Sequence, residues 1–248
     1  MPTERMDDVK IIRLDSTDST NLFLRRYDGE EGRLLTVATA EYQTAGRGQG
    51  QNSWESEACR NLLFSIKMRP KELPAARQFV MLEAMALAIK DTLSAMVDGI
   101  TVKWPNDVYW RDNKISGTLS ECNVCGRFVG DCISGTGLNV NQRTFVSDAP
   151  NPVSLFNITG RETDRKALLH SLITNVRSYL GMVEARRYDD IDRLYAAALY
   201  RREGTFRYKD AGGVFSADIE RIEPDGHLIL RRTDGKPGRY AFKEVKFL

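Results

Sequence analysis

An α+β fold is expected for this chain, with a large unit of strands and helices over residues 1–200 and a small all-β unit over 201–248. Three observations predict it. Strand-like runs and long helical periodicities interleave as far as Tyr200, with no internal repeat and no low-complexity segment. Beyond Tyr200 only short strand-like runs occur, separated by glycine-containing turns. The composition is that of an ordinary globular chain: 248 residues, 42% hydrophobic and 28% charged. At that length about 70–75% of the unfolded surface can be buried, so a sizeable core is possible.

The elements follow in order. Val9 to Leu14 reads as the first strand, and a helix opens at a capping residue near Ser19 and runs to about Tyr27. Leu34 to Tyr42 alternates as a strand, Ala45 to Ser53 is a Gly/Gln/Asn-rich loop, and Leu62 to Arg69 returns as a strand. Phe79, Leu82, Met85, Ala86, Ile89, Leu93 and Met96 fall at helical spacing, which predicts a long core helix over Ala75 to Val97. Short strands are expected at Thr101 to Trp104, Lys114 to Cys122 and Arg127 to Ser134. Helices are expected around Leu168 to Leu180 and from Ile191 to Tyr200. The tail reads as four strands, Thr205–Tyr208, Val214–Ile222, His227–Arg232 and Arg239–Val245. Its roughly 48 residues are close to the lower limit for independent folding, so it should lean on the larger unit.

Composition also removes function classes. No uncharged apolar run approaches the roughly 18 residues of a membrane span, and the opening MPTERMDDVK does not read as a signal peptide. Thirty-six Lys and Arg against 34 Asp and Glu leave a net charge of +2, which does not mark a nucleic-acid binder. The four cysteines, Cys59, Cys122, Cys125 and Cys132, are expected as reduced thiols in a cytoplasm. The two histidines stand outside any motif, His170 in a helical pattern and His227 after a Pro-Asp-Gly turn. A Ser-His-Asp triad and a His-rich zinc site are therefore not expected.

Four segments carry chemistry. In Gly46-Arg47-Gly48-Gln49-Gly50-Gln51-Asn52-Ser53-Trp54 the glycines let backbone amides approach a ligand, and Arg47 can clamp a phosphate or carboxylate. Lys103-Trp104-Pro105-Asn106-Asp107 displays Lys, Asn and Asp at a strand end, because Pro105 holds Trp104 out of the helical region. Lys114-Ile115-Ser116-Gly117-Thr118-Leu119-Ser120-Glu121 alternates, which predicts Lys114, Ser116 and Thr118 on one face and a close approach at Gly117. Gly135-Thr136-Gly137-Leu138-Asn139-Val140 is a poor dinucleotide fingerprint, but it lets a flat ring lie on backbone beside the Asn139 amide. Each alone is compatible with an ordinary loop or strand end.

Taken in this order, the four segments resemble the biotin protein ligases, whose pattern is GRGR-x-G-R-x-W, KWPND, K-[IL]-[AS]-G-[IL]-L-x-E and G-x-G-x-N. Here they read GRGQGQNSW, KWPND, KISGTLSE and GTGLN, and Ser19-Thr20-Asn21 matches the S-T-N of that family. The resemblance spans nearly the whole chain, in a short form without an N-terminal DNA-binding domain. It implies a mixed sheet akin to class II aminoacyl-tRNA synthetases followed by an SH3-like barrel. It also implies two reaction steps: biotin and MgATP form biotinyl-5′-AMP, and a lysine of a biotin carboxyl carrier protein then takes the biotinyl group. Fixed cations must cancel the repulsion between carboxylate and polyphosphate. Arg47, Lys103 and Lys114 are the candidates, with Asp107 a fourth catalytic candidate that orients the acceptor lysine or a metal.

The resemblance assigns biotin contacts to Ser19, Thr20, Asn21, Gln43, Arg47, Gly48, Gln49, Lys114 and Gly117. It assigns nucleotide contacts to Arg47, Trp54, Lys103, Asn106 and Asn139. Mg²⁺ enters with ATP as substrate, and neither zinc nor another resident metal is expected. Monomer and homodimer both remain open. At Gln49 and Asn52 this chain has neutral amides where the family commonly has arginines. The rivals are a lipoate or octanoyl ligase of the same superfamily, for which no motif is found, and a nucleic-acid-binding module. About eighteen residues precede Ser19, too few for a helix-turn-helix domain, and Arg201-Arg202 and Arg231-Arg232 read as solvated strand edges. Cys122-Asn123-Val124-Cys125-Gly126 resembles half of a zinc knuckle, but no second pair of cysteines accompanies it.

Overall fold

The computed structural model describes residues 3–6, 9–27, 35–48, 53–147 and 150–248. Thr3–Met6 (β1) and Val9–Thr17 (β2) form an antiparallel pair, and the helix Thr20–Arg26 (α1) leads on toward Leu35–Gln43 (β3). β3 lies parallel to β2, as an intervening crossover helix allows. Leu62–Met68 (β4) is followed by a 3-10 turn at Ala75–Arg77 and the helix Phe79–Ser94 (α2). Ile100–Lys103 (β5), Asp107–Trp110 (β6), Asn113–Cys125 (β7) and Phe128–Leu138 (β8) complete the sheet. Its order is β1-β2-β3-β4-β8-β7-β6-β5, and every described pairing except β2–β3 is antiparallel.

Alternation gives this sheet two different faces. On β4, Phe64 and Ile66 enter the main core with α2 and with the helix Arg165–Glu184 (α4). Ser65, between them, turns the other way and bonds to α1. The helices Leu155–Thr159 (α3) and Tyr188–Ala197 (α5) complete the large unit. α2 is buried almost throughout, which explains why its apolar pattern is so dense.

The second sheet has the order β12-β11-β10-β9-β13, built from Phe206–Asp210 (β9), Gly213–Ile222 (β10), Leu228–Arg232 (β11), Pro237–Tyr240 (β12) and Lys246–Phe247 (β13). A column of rings fills it: Phe247 on Tyr208 at 5.0 Å, Tyr208 on Phe215 at 6.0 Å, Phe215 on Tyr240 at 5.9 Å. Its buried residues are continuous with the main core, so this tail does lean on the larger unit.

The structure departs from the sequence reading in several places. β1, β6 and α3 are additional elements, and the helix expected from Ala75 begins at Phe79 after the 3-10 turn. Of the last expected strand, Arg239–Val245, only Arg239 and Tyr240 are strand, as the end of β12; residues 241–245 turn, with Lys243 at φ +71°, and β13 follows at Lys246–Phe247. The cysteines also differ from the expected set of reduced thiols. The β7–β8 register places Cys122 opposite Cys132, with Cα atoms 4.0 Å apart, and the two form a cross-strand disulfide. Cys59 and Cys125 are exposed free thiols, so the Cys-x-x-Cys pair does not act as one unit.

Candidate active site

The site is built on the α1 face of the sheet, where β4, β8 and β7 run side by side. Glycines form its floor. A Cβ on Gly135 would collide with the Asn21 amide, and one on Gly137 would collide with the Trp54 indole. A Cβ on Gly117 would come within 3.1 Å of Trp54 and of the Lys114 Nζ. Thr-Gly and Gly-Thr steps therefore do two jobs along these strands. The bare positions admit flat groups on one face, while Thr118 and Thr136 join hydroxyls at 2.9 Å on the other. The G-x-G segment is strand, continuous with β8 as far as Leu138.

At one end of the floor lies a buried polar cluster from α1. Gln43 Oε1 accepts from the Thr20 backbone N–H at 2.7 Å and from the Thr20 hydroxyl at 3.0 Å. Ser65 Oγ lies 2.7 Å from Thr20 Oγ1 and 2.6 Å from Asn21 Oδ1, and Asn21 Nδ2 donates to Leu119 O at 3.3 Å. Ser19 is the N-cap by backbone geometry, yet its side chain makes no capping bond. Ser19, Thr20 and Asn21 are all buried. A helix start this polar has no apolar reason to be inside, and it presents donors and acceptors over the floor.

At the other end stand the charges. Lys103 and Asp107 face each other across the β5–β6 hairpin, and Lys114 Nζ pairs with Asp107 Oδ1 at 2.8 Å. Lys114 also lies 5.6 Å from the Trp54 ring. The sequence pattern predicted Lys114 on one face with Ser116 and Thr118. It is not, because the β6–β7 register shifts between Val108 and Tyr109. Such a slip exchanges faces: Lys114 sits beside Gly117, while Ser116 Oγ bonds to Gly137 O at 2.8 Å. Lys103 donates to the Tyr109 hydroxyl at 3.0 Å. Burial, more than any neighbour, holds Lys103 below the usual lysine range; Asp107 opposes that shift, and Lys114, Arg201 and Lys246 reinforce it.

Asn106 is buried and spends an amide hydrogen on Thr118 O at 2.5 Å, tying its turn to β7. Asn139 donates to Val153 O at 3.1 Å and leaves its buried Oδ1 without a partner, as is the Trp54 Nε1–H. Two unmet polar atoms in so buried a place mark where a ligand would bond. Arg47 is exposed and bridges by backbone to Ser53, and Gly48 follows it, so both lie at the rim of the floor. Gln49, like Asn52, lies outside the described residues.

Some residues escaped sequence reasoning. Ser65 sits in an apolar strand and is visible only as a polar interruption. Glu55, next to Trp54, accepts from the backbone N–H groups of Val146 and Ser147, both at 2.9 Å. Burial raises its pKa, but those bonds and one from Gln142 prevail and hold it below the usual range. Gln142 in turn accepts from Asn61 at 2.5 Å, whose Oδ1 takes the Val140 N–H at 3.0 Å. This network ties residues 55–61 to residues 140–147 where β4 begins and β8 ends, and no local spacing announces it. Glu223, Asp225 and His227 bring ligand atoms within 4.8 Å of one another, but Arg239 occupies both carboxylates, at 2.7 and 2.6 Å.

Residues 12–139, just over half of the chain, match the model of the biotin/lipoate A/B protein ligase family. The chain belongs to that family. Among curated relatives, the bifunctional ligase/repressor BirA of Salmonella typhimurium is 31% identical over 73% of this chain, which spans 56% of that protein. The biotin–[acetyl-CoA-carboxylase] ligase of Paracoccus denitrificans is 29% identical, with 90% of this chain and 95% of that protein covered. The solved structure of the biotin protein ligase from Aquifex aeolicus, in complex with biotin and ATP, superposes with a TM-score of 0.79 at 24% identity. It covers 96% of this chain and 99% of that one. This member of the biotin/lipoate ligase family thus shares that mixed α+β architecture, a large mixed sheet with a second antiparallel sheet. None of its described helices is long and apolar enough to cross a membrane.

Proposed function

We propose that this chain is a biotin–protein ligase, using MgATP to make biotinyl-5′-AMP and then biotinylating a lysine of a biotin carboxyl carrier domain. The observation that carries the reading is the glycine floor, with neutral hydrogen-bonding groups at one end and Lys103, Asp107 and Lys114 at the other. A bicyclic urea with an apolar ring needs the first end, and a carboxylate meeting a phosphate needs the second. The large unit is read as class II synthetase-like and the second as SH3-like, divided near residue 200.

In the first step a biotin carboxylate oxygen attacks the α-phosphorus. The new O–P bond forms as the bond to the β-phosphate bridge oxygen breaks, and pyrophosphate leaves. Thr20, Asn21 and Gln43, with Ser19, hold the urea ring; Gly117 leaves room for its ring system. Lys114 neutralises the carboxylate, Arg47 and Lys103 the phosphates, and Trp54 with Asn139 takes the adenine side. Asp107 holds Lys114 in place before the anions arrive, and Asn106 holds the turn that carries Lys103. In the second step the neutral acceptor amine attacks the acyl carbon, AMP departs with the bonding pair, and the amine sheds its proton. The enzyme supplies position and charge, and the mixed anhydride itself is the activated acyl group.

The test is to mix the pure protein with biotin, MgATP and a carrier domain, and to weigh the product. A biotin-sized mass gain on one lysine, dependent on ATP, is the expected result. Transfer of lipoate or octanoate with no biotin product overturns the reading.

A further inference from the structure

Positive charge collects where the second sheet meets β5 and β6, three cations against the carboxylates of Asp107, opposite Lys103, and Asp112, which accepts from the Tyr200 hydroxyl at 2.7 Å. Lys103 Nζ lies 5.4 Å from the Phe247 ring of β13 and 4.8 Å from the Tyr109 ring. Tyr109 packs on Tyr200 at 5.3 Å, and the Arg201 guanidinium stands 5.1 Å from Tyr200 and 5.0 Å from Phe206. Lys246 precedes Phe247 on β13. Among the described residues none of Lys103, Arg201 and Lys246 has a carboxylate at ion-pair distance; Asp107 is taken by Lys114. Among the other arginines of the second unit, Arg231 pairs with Asp218, Arg232 with Asp210 and Arg239 with Glu223, while Arg202 bonds to the Ile219 carbonyl.

Two further observations point the same way. Arg201 Nη1, Tyr208 Oη and Thr101 Oγ1 are buried with no hydrogen-bond partner. All three border this seam, since Tyr208 packs on Phe247 at 5.0 Å and Thr101 is registered against Tyr109. Arg201 also holds φ +60°, a conformation that costs a residue with a Cβ and recurs at functional positions. Meanwhile residues 46–54 supply a single cation, Arg47, for a triphosphate carrying several charges. Unpaired cations and unmet donors side by side are the makings of an anion site.

We propose that Arg201, assisted by Lys246, binds the β- and γ-phosphates of ATP and the departing pyrophosphate at the seam between the two units. The proposal rests on the ligase reading for the identity of the nucleotide, but not for its test. Its chemistry is a guanidinium fork on a polyphosphate, continuing the line of charge from Lys103.

The experiment is calorimetric titration of the full chain with pyrophosphate, ATP, AMP, sulfate and biotin, comparing wild type with Arg201→Asn, Arg201→Lys and Lys246→Ala. Asparagine tolerates the left-handed backbone, so Arg201→Asn removes the charge without adding strain. Pyrophosphate and ATP should bind about ten- to hundredfold more weakly to Arg201→Asn, with AMP and biotin unchanged; Lys should restore most of the loss. Lys246→Ala, at an exposed position, should weaken pyrophosphate about three- to tenfold and keeps the test valid if Arg201 variants fold poorly. Unchanged pyrophosphate binding overturns the proposal, as does equal weakening of AMP and biotin, or sulfate binding as tightly as pyrophosphate. Failure of biotin transfer by a wild type that binds pyrophosphate through Arg201 would overturn the ligase reading and leave this one standing.

Discussion

Lys114 and Gly137 show how single residues set this site. The Lys114 ammonium is held by Asp107 at 2.8 Å and lies beside the Trp54 ring, so its position is fixed before substrate binds. Lys114→Ala is expected to lower the rate of adenylate formation about tenfold to 150-fold, the loss of a charge-assisted contact worth roughly 1.5–3 kcal/mol. Pyrophosphate release measured at saturating biotin and ATP checks it, and an unchanged rate would remove Lys114 from the machinery. Gly137→Ala should act differently, because its Cβ enters the space of the Trp54 indole rather than deleting a charge. The expected outcome is weaker nucleotide binding, by about tenfold for roughly 1.4 kcal/mol of lost contact, with little change in melting temperature. Indole fluorescence should report the displaced ring.

Between elements, the turn that carries Lys103 is held from outside its own hairpin. Tyr195 of α5 donates to Pro105 O at 2.7 Å, and Trp104 Nε1 donates to Gly226 O at 2.9 Å, reaching from the first sheet to the second. Gly226 has φ +91°, and a Cβ there would lie 2.5 Å from the Phe79 ring. Gly226→Ala therefore combines a disfavoured backbone with a collision and should cost about 1–3 kcal/mol of stability. Trp104→Phe leaves the Gly226 carbonyl unpaired and should cost about 1–3 kcal/mol as well. If the turn is the part displaced, both variants should raise the KM for ATP more than the KM for biotin. Equal changes in the two would assign the contact to stability alone.

For the whole molecule the shared core makes two expectations. Buried residues of the second sheet belong to the same apolar cluster as α2 and α4. A chain ending at residue 200 should thus lose cooperative thermal unfolding, which circular dichroism would reveal; a sharp transition would make the two units independent. The second expectation concerns pH. Glu83 is buried in α2, and burial, followed by the charge and hydrogen bond of Asp192, pushes its pKa from 4.5 up to about 9 against the pull of Arg77. The native state keeps a proton that the unfolded chain releases. Stability should therefore fall as pH rises from about 4.5 to about 9 and level off above that. Glu83→Gln should flatten this slope in melting temperature, and an unchanged slope would place its origin elsewhere.

How much was legible in the residues alone depended on range. Local signals located the core helices, the strand runs, the four motif segments and the all-β tail, because periodicity and glycine placement act within a few residues of chain. They also carried the family resemblance, since Ser19-Thr20-Asn21, KWPND and KISG are contiguous. What they could not reach was decided by contacts between distant segments. The β6–β7 register shift moved Lys114 to the face of Gly117, an outcome set by strand pairing and invisible in the alternation. The register of β7 on β8 brought Cys132 to Cys122, ten residues away. Ser65, Glu55 and Arg201 carry no motif, and each takes its place from neighbours across the sheet, along the 142–147 segment or at the seam. The sequence by itself determined the fold class and the kind of chemistry, because those follow from local pattern. Only the tertiary structure decided which groups face one another and which charges go unpaired, because register, burial and electrostatic fields belong to the packed chain.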